Sequence, residues 1–212
     1  MSDEPANLIQ KNREQLQSET DPFTEGRYRQ FLDWMPPGCH RVLDAGCNTG
    51  RGGTVLKTAQ SGLEIIGVDC VPERIEALDR SVYSTCLCAM LDRTGIPDRS
   101  VDAVVAGEVI EHIEPDKVDH VLAEWFRILR LKGRIMLTTP NPGSLRFRYH
   151  GWSVLLEESH LSQHPPRLLR HRLRMIGFRQ VRTRGSGRIS ALIGTRWPLA
   201  AYGSYLVVAE KW

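Results

Sequence analysis

Four short, almost wholly apolar runs punctuate this chain: residues 41–46 (RVLDAG), 63–69 (LEIIGVD), 101–109 (VDAVVAGEV) and 134–140 (RIMLTTP). A strand that is apolar throughout must be covered on both faces, and parallel sheets achieve this by alternating strands with helices. Helical periodicity fills the gaps. Residues 52–62 read as a helix closed by Gly62, and residues 72–81 as a helix opened by Pro72. Residues 115–130 put Val118, Val121, Leu122, Trp125, Ile128 and Leu129 on one stripe, with a stop at residues 131–133. A fifth strand falls near residues 82–88, and residues 24–35 form a leading helix ended by Pro36, Pro37 and Gly38. The expectation is an α/β fold with a mostly parallel sheet and helices on both faces.

After Pro140 the rhythm breaks. A loop-rich insert over 141–165 precedes a helix that ends at Gly177. Residues 178–184 and 205–212 read as two last strands, one pairing as a hairpin and one at the edge, joined by a long loop over 185–203. Long loops in compact domains tend to carry function. With 212 residues the chain suits one domain: an N-terminal arm (1–22), a core (40–140), and the insert and loop.

Composition excludes several classes. Hydrophobic residues are 41% and charged residues 25%, so the chain has enough apolar material to fold. No apolar run reaches the ~20 residues of a membrane helix. The polar, acidic start MSDEPANLIQ is unlike a secretory signal, and five cysteines fit neither a disulfide framework nor zinc spacing. A cytoplasmic location, with reduced thiols, is the expectation. Charge is asymmetric: residues 1–140 hold 16 Lys+Arg against 22 Asp+Glu, and residues 141–212 hold 12 against 3. A field of one sign steers a partner of the other, so an anionic acceptor is favoured.

Strand, glycine turn and helix meet at Asp44-Ala45-Gly46-Cys47-Asn48-Thr49-Gly50. Glycines there let a ligand approach the backbone. The next apolar run ends at Asp69, where a carboxylate can accept from both hydroxyls of a ribose. The spacing is not the dinucleotide fingerprint, and Asp44 would repel a pyrophosphate. A cationic amino-acid moiety suits it better, which is the chemistry of S-adenosylmethionine.

The ordered segments VLDAGCNTG, GVDCVPERI, IPDRSVDAVVAGEVIEHI and LAEWFRILRLKGRIMLTTPN resemble the successive motifs of class I, Rossmann-like S-adenosylmethionine-dependent methyltransferases. The resemblance covers residues 40–140 and implies a three-layer fold with a seven-stranded sheet whose last strands are antiparallel. Carried over by position, it implies a cofactor site of Asp44, Gly46, Cys47, Asn48, Gly50, Asp69, Cys70, Gly107 and Glu108. Where the family carries an acidic residue and a small one, this chain has Met90 and Leu91 followed by Asp92, so the adenine contacts are expected from those three.

In-line methyl transfer needs a positioned nucleophile, and an oxygen nucleophile gains from a general base. His160 and His112, with Glu108, are the candidate catalytic residues. The insert resembles that of bacterial methyltransferases acting on small molecules and glycans, which implies acceptor contacts from Asn141, Arg146, Arg148, Tyr149, Trp152 and His164. The implied activity is methylation of an oxygen, with nitrogen second, by a monomer or homodimer, with no metal. Two alternatives stand beside it. Glu108, Glu111, His112 and His160 resemble the metal set of RNA ribose 2′-O-methyltransferases, which would make nucleic acid the partner. Alternatively, the domain is a catalytically inactive cofactor-binding subunit.

Overall fold

The computed structural model describes Ile9, Gln10, Asn12, Arg13 and residues 21–212. Most of the arm expected over 1–22 lies outside the described residues. Within it, Arg13 Nη2 donates to Glu73 Oε1 at 2.9 Å, and the Asn12 carbonyl accepts from Arg74 at 2.5 Å.

Seven strands form one sheet: β1 (Arg41–Ala45), β2 (Glu64–Asp69), β3 (Thr85–Cys88), β4 (Val101–Gly107), β5 (Leu129–Pro140), β6 (Phe178–Ser186) and β7 (Ser204–Lys211). Their spatial order is β3-β2-β1-β4-β5-β7-β6. β1 to β5 pair in parallel, and β7 runs antiparallel to both β5 and β6. β6 is therefore the edge, and the C-terminal strand is inserted between β5 and β6. Strand order reverses between β1 and β4, so the loops leaving these two strands diverge and open a crevice at their carboxyl ends.

The layers follow from side-chain alternation. Val42, Ile65, Val105 and Met136 pack with Tyr28, Phe31, Leu56 and Ile75 of α1 (Thr24–Leu32), α2 (Arg51–Ala59) and α3 (Pro72–Ala77). Leu43, Ile66, Val104 and Ile135 point the other way. They meet Trp125 and Leu122 of α4 (Val118–Ile128) and, after α5 (Leu145–His150), Leu169 and Leu173 of α6 (Pro166–Ile176). No described helix is long and apolar enough to cross a membrane.

Three boundaries differ from expectation. The helix read over 72–81 stops at Ala77, because Leu78 is extended and Asp79 caps a turn by accepting from Ser81 N at 2.8 Å. The helix read to residue 130 ends at Ile128, and residues 131–133 are an irregularity inside β5 rather than a helix stop. Lys132 has φ +65°, and a Cβ on Gly133 would lie 2.9 Å from the carbonyls of Arg130 and Asp102. The loop over 185–203 contains α7 (Arg188–Ile193) and a 3-10 turn at Leu199–Ala201.

Candidate active site

The crevice is a cleft of about 1570 Å³. Its floor begins where β1 turns into α2. Gly46 N and Cys47 N donate to Val68 O at 2.8 and 3.1 Å, which ties the turn to β2. Gly46 (φ +67°) and Gly50 (φ +83°) take left-handed conformations, and Asn48 (φ +48°) takes one that asparagine tolerates. Gly46, Cys47 and Asn48 line the cleft. Gly50 sits behind it as the N-cap of α2, where a Cβ would lie 2.9 Å from Leu78.

Asp44 also lies behind the turn. It is fully buried, and its two oxygens accept from the Tyr28 and Tyr83 hydroxyls at 2.5 and 2.6 Å. Burial pushes its carboxyl up to about 6 although both tyrosines stabilise the anion. Asp44 thus joins α1, β1 and the segment before β3, and does not line the cleft as expected for a residue facing a cationic moiety.

Asp69 closes β2 with its side chain at the cleft. Oδ2 accepts from Asn48 N and Oδ1 from Val71 N, both at 3.0 Å, and Arg74 Nη1 stands 3.8 Å from Oδ1. Cys70, Met90 and Leu91 continue the wall, while Asp92 falls outside it. Burial pushes the Cys70 thiol up to about 11, so it stays protonated at neutral pH.

The far wall grows from the end of β4. Gly107 passes so close to α1 that a Cβ would lie 2.9 Å from Arg27 Cδ. Glu108 follows with φ +56°, a rare conformation for a residue with a Cβ and one that clusters at functional sites. Its Oε2 accepts from Ser204 Oγ at 3.3 Å, and its Oε1 lies 3.7 Å from Arg27 Nε. Glu111 is fully buried; Oε2 accepts from Thr139 Oγ1 at 3.0 Å, and Oε1 has no hydrogen-bond partner. Burial, then the charge of Glu108, holds the Glu111 carboxyl well above the usual range.

His112 and His160 face each other with ring centroids 4.9 Å apart. Each Nδ1 meets a backbone carbonyl: Ser159 O at 2.9 Å for His112, and Val154 O at 2.7 Å for His160. A carbonyl only accepts, so Nδ1 carries the proton and Nε2 the lone pair. Burial lowers His112 to about 4 and keeps it neutral. His160 Nε2 stands 3.5 Å from Glu157 Oε2.

Of the expected acceptor residues, Arg146 and Trp152 line the cleft, with Arg146 5.4 Å over the Trp152 ring. Arg148 and Tyr149 are exposed beyond the lining. Asn141 and His164 are buried and engaged elsewhere. Asn141 Nδ2 donates to Leu199 O and Tyr202 O, and its Oδ1 accepts from Gly143 N. His164 Nε2 lies 2.8 Å from Ser162 Oγ and 3.1 Å from Ile110 O. These contacts hold the insert against the sheet and leave neither side chain for an acceptor. Arg27, Ser204 and Arg188 line the cleft without having been singled out, because no motif spacing marks them.

Residues 43–137 match a family model described as a methyltransferase domain. An uncharacterized methyltransferase of Mycobacterium tuberculosis is 32% identical over 110 residues, 51% of this chain and 43% of that relative. The chain belongs to the class I, Rossmann-like S-adenosylmethionine-dependent methyltransferases. A malonyl-[acyl-carrier protein] O-methyltransferase of Hamiltonella defensa is 31% identical over 123 residues, 58% of this chain and 46% of that protein. The chain therefore spans less than half the length of these curated relatives. The methyltransferase fold itself recurs in the crystal structure of a SAM-dependent methyltransferase from Archaeoglobus fulgidus. That structure has a TM-score of 0.71 and 22% identity, over 88% of this chain and 92% of the other.

Proposed function

We propose that this chain transfers a methyl group from S-adenosylmethionine to an oxygen of a small-molecule or glycan-type acceptor. One observation carries the reading. A single cleft has the Asp69 carboxylate at one end and, at the other, two histidines with basic Nε2 atoms next to Arg146 and Arg188.

The cofactor fits the donor set. Each Asp69 oxygen accepts one backbone N–H, which leaves lone pairs for two ribose hydroxyls. Met90, Leu91 and the protonated Cys70 offer an apolar wall to a flat base. Glu108 places a carboxylate where a cationic group is favoured. When bound, S-adenosylmethionine supplies an electrophilic methyl group.

The chain's own residues then position the acceptor and take its proton. His160 Nε2 is the base, its tautomer set by Val154 O, and Glu157 stabilises the imidazolium that forms. Arg146 and Arg188 offer guanidinium forks to an anionic group on the acceptor. The printed name of the malonyl-[acyl-carrier protein] relative supports oxygen as the atom methylated.

A test separates chemistry from binding. His160→Ala should lower kcat by about 100-fold or more while cofactor Kd stays within a factor of two or so of wild type. Unchanged kcat would remove His160 from the mechanism. Turnover of no acceptor by a chain that binds cofactor would favour the inactive-subunit reading.

A second reading has its own observation. Ligand atoms of Glu111, His112 and His160 all lie within 4.8 Å of one another, a spacing that could hold a divalent cation. The raised carboxyl of Glu111 opposes it, since a ligand must lose its proton. Calorimetry with Mn²⁺ alone decides: heat abolished by His112→Ala would support metal-assisted methylation of an RNA ribose.

A further inference from the structure

The rim of the cleft carries large apolar side chains in water. Tyr149 is 87% exposed, Leu192 80%, Leu156 67%, Trp197 61% and Leu145 59%. They come from two separate stretches, residues 144–156 and 187–200. The stretches meet where α5 packs against the 3-10 turn at Leu199–Ala201, and where Asn141 binds Leu199 O. Both also line the cleft, through Arg146, Trp152 and Leu156 from one and Arg188 and Ile189 from the other. The exposed residues therefore form a collar around one opening.

The collar has a single charge sign. The two stretches hold Arg146, Arg148, Arg188 and Arg196, with no Asp, Glu, Asn or Gln. The next carboxylates are Glu157 and Glu158, and Glu157 is turned toward His160. Leucines set among tryptophan, tyrosine and arginine match a bilayer interface. Their apolar bodies enter the acyl boundary, and their polar tips meet the headgroups. Four arginines without a counter-charge select anionic headgroups, whose negative surface potential attracts basic segments. An apolar patch of this kind marks an interaction surface, and the charge complementarity favours lipid.

We infer that this collar docks the mouth of the cleft onto an anionic lipid bilayer. The inference concerns where the opening sits and is independent of the atom methylated. The two can fail separately, because vesicle binding needs neither cofactor nor turnover.

The test is co-sedimentation of the full chain with vesicles of phosphatidylcholine alone, and with vesicles that also contain phosphatidylglycerol. Binding to the second kind only, weakening as salt rises, is expected. Leu192→Ser with Trp197→Ala should reduce partitioning by about tenfold or more, and Arg196→Ala by about fivefold. None of these three side chains lines the cleft, and Leu192, Arg196 and Trp197 are exposed, so the variants should fold. Leu168→Ser with Met175→Ser, on the exposed side of α6, should leave binding unchanged. Failure to bind either vesicle would overturn the inference. So would vesicle binding that the collar variants do not alter. Self-association or retention on single-stranded RNA, lost in the same variants without vesicle binding, would overturn it in favour of a second copy or a nucleic acid.

Discussion

At the scale of single residues, hydrogen-bond satisfaction sorts the site. Asp44 spends both oxygens on Tyr28 and Tyr83, whereas Asp69 spends one lone pair of each oxygen on backbone and keeps the rest for the cleft. Tyr28→Phe should cost about 1–3 kcal/mol by leaving a buried carboxylate short of a donor, read by chemical denaturation. His164 is buried and neutral, its imidazole lowered to about 4 from 6.5 by desolvation. A depressed folded-state value means that its stabilisation is full above pH 6.5 and is lost as pH falls through about 4. The stability difference between wild type and His164→Gln should therefore shrink by about 3 kcal/mol between pH 7 and pH 4. A difference that does not change with pH would contradict the buried, neutral histidine. The position of Asp69 was legible in the chain because it ends an apolar run at a fixed distance from a glycine turn. The roles of Asn141 and His164 were not legible. Their partners, Leu199 O and Ile110 O, are more than fifty residues away in sequence, and only the fold brings them near.

At the scale of elements, periodicity identified the parallel strands and the amphipathic helix α4, because burial on both faces, or along one stripe, writes itself into residue order. It failed where two structures share the same residues. Lys132-Gly133 reads as a helix stop but is a bulge within β5, set by crowding against Asp102 O that no local pattern reveals. The docking of α1 was hidden for the same reason. Tyr28 crosses onto α2 at Gly52, where a Cβ would lie 2.0 Å from the ring. Gly52→Ala should therefore displace α1 and cost about 1–3 kcal/mol. The loss should be visible as a lower denaturation midpoint together with weaker cofactor binding, since Arg27 on α1 reaches Glu108. An unchanged midpoint would mean that α1 is not held at this contact.

At the scale of the molecule, the charge asymmetry gains a spatial meaning. The acidic first 140 residues build the end of the cleft with Asp69 and Glu108. The basic remainder builds the collar with Arg146 and Arg188. A cationic cofactor and an anionic acceptor or surface would thus meet from opposite ends of one opening. The sheet order places both ends at the switch point between β1 and β4, where the diverging loops leave room. The central claim is that this cleft binds S-adenosylmethionine through Asp69. Calorimetric titration of the wild type and Asp69→Ala with S-adenosylmethionine and S-adenosylhomocysteine tests it most directly. The account predicts saturable binding of both by the wild type, weakened by about tenfold or more in the variant, the scale of a lost charge-assisted hydrogen bond. No binding by the wild type, or equal affinity in the variant, would contradict it.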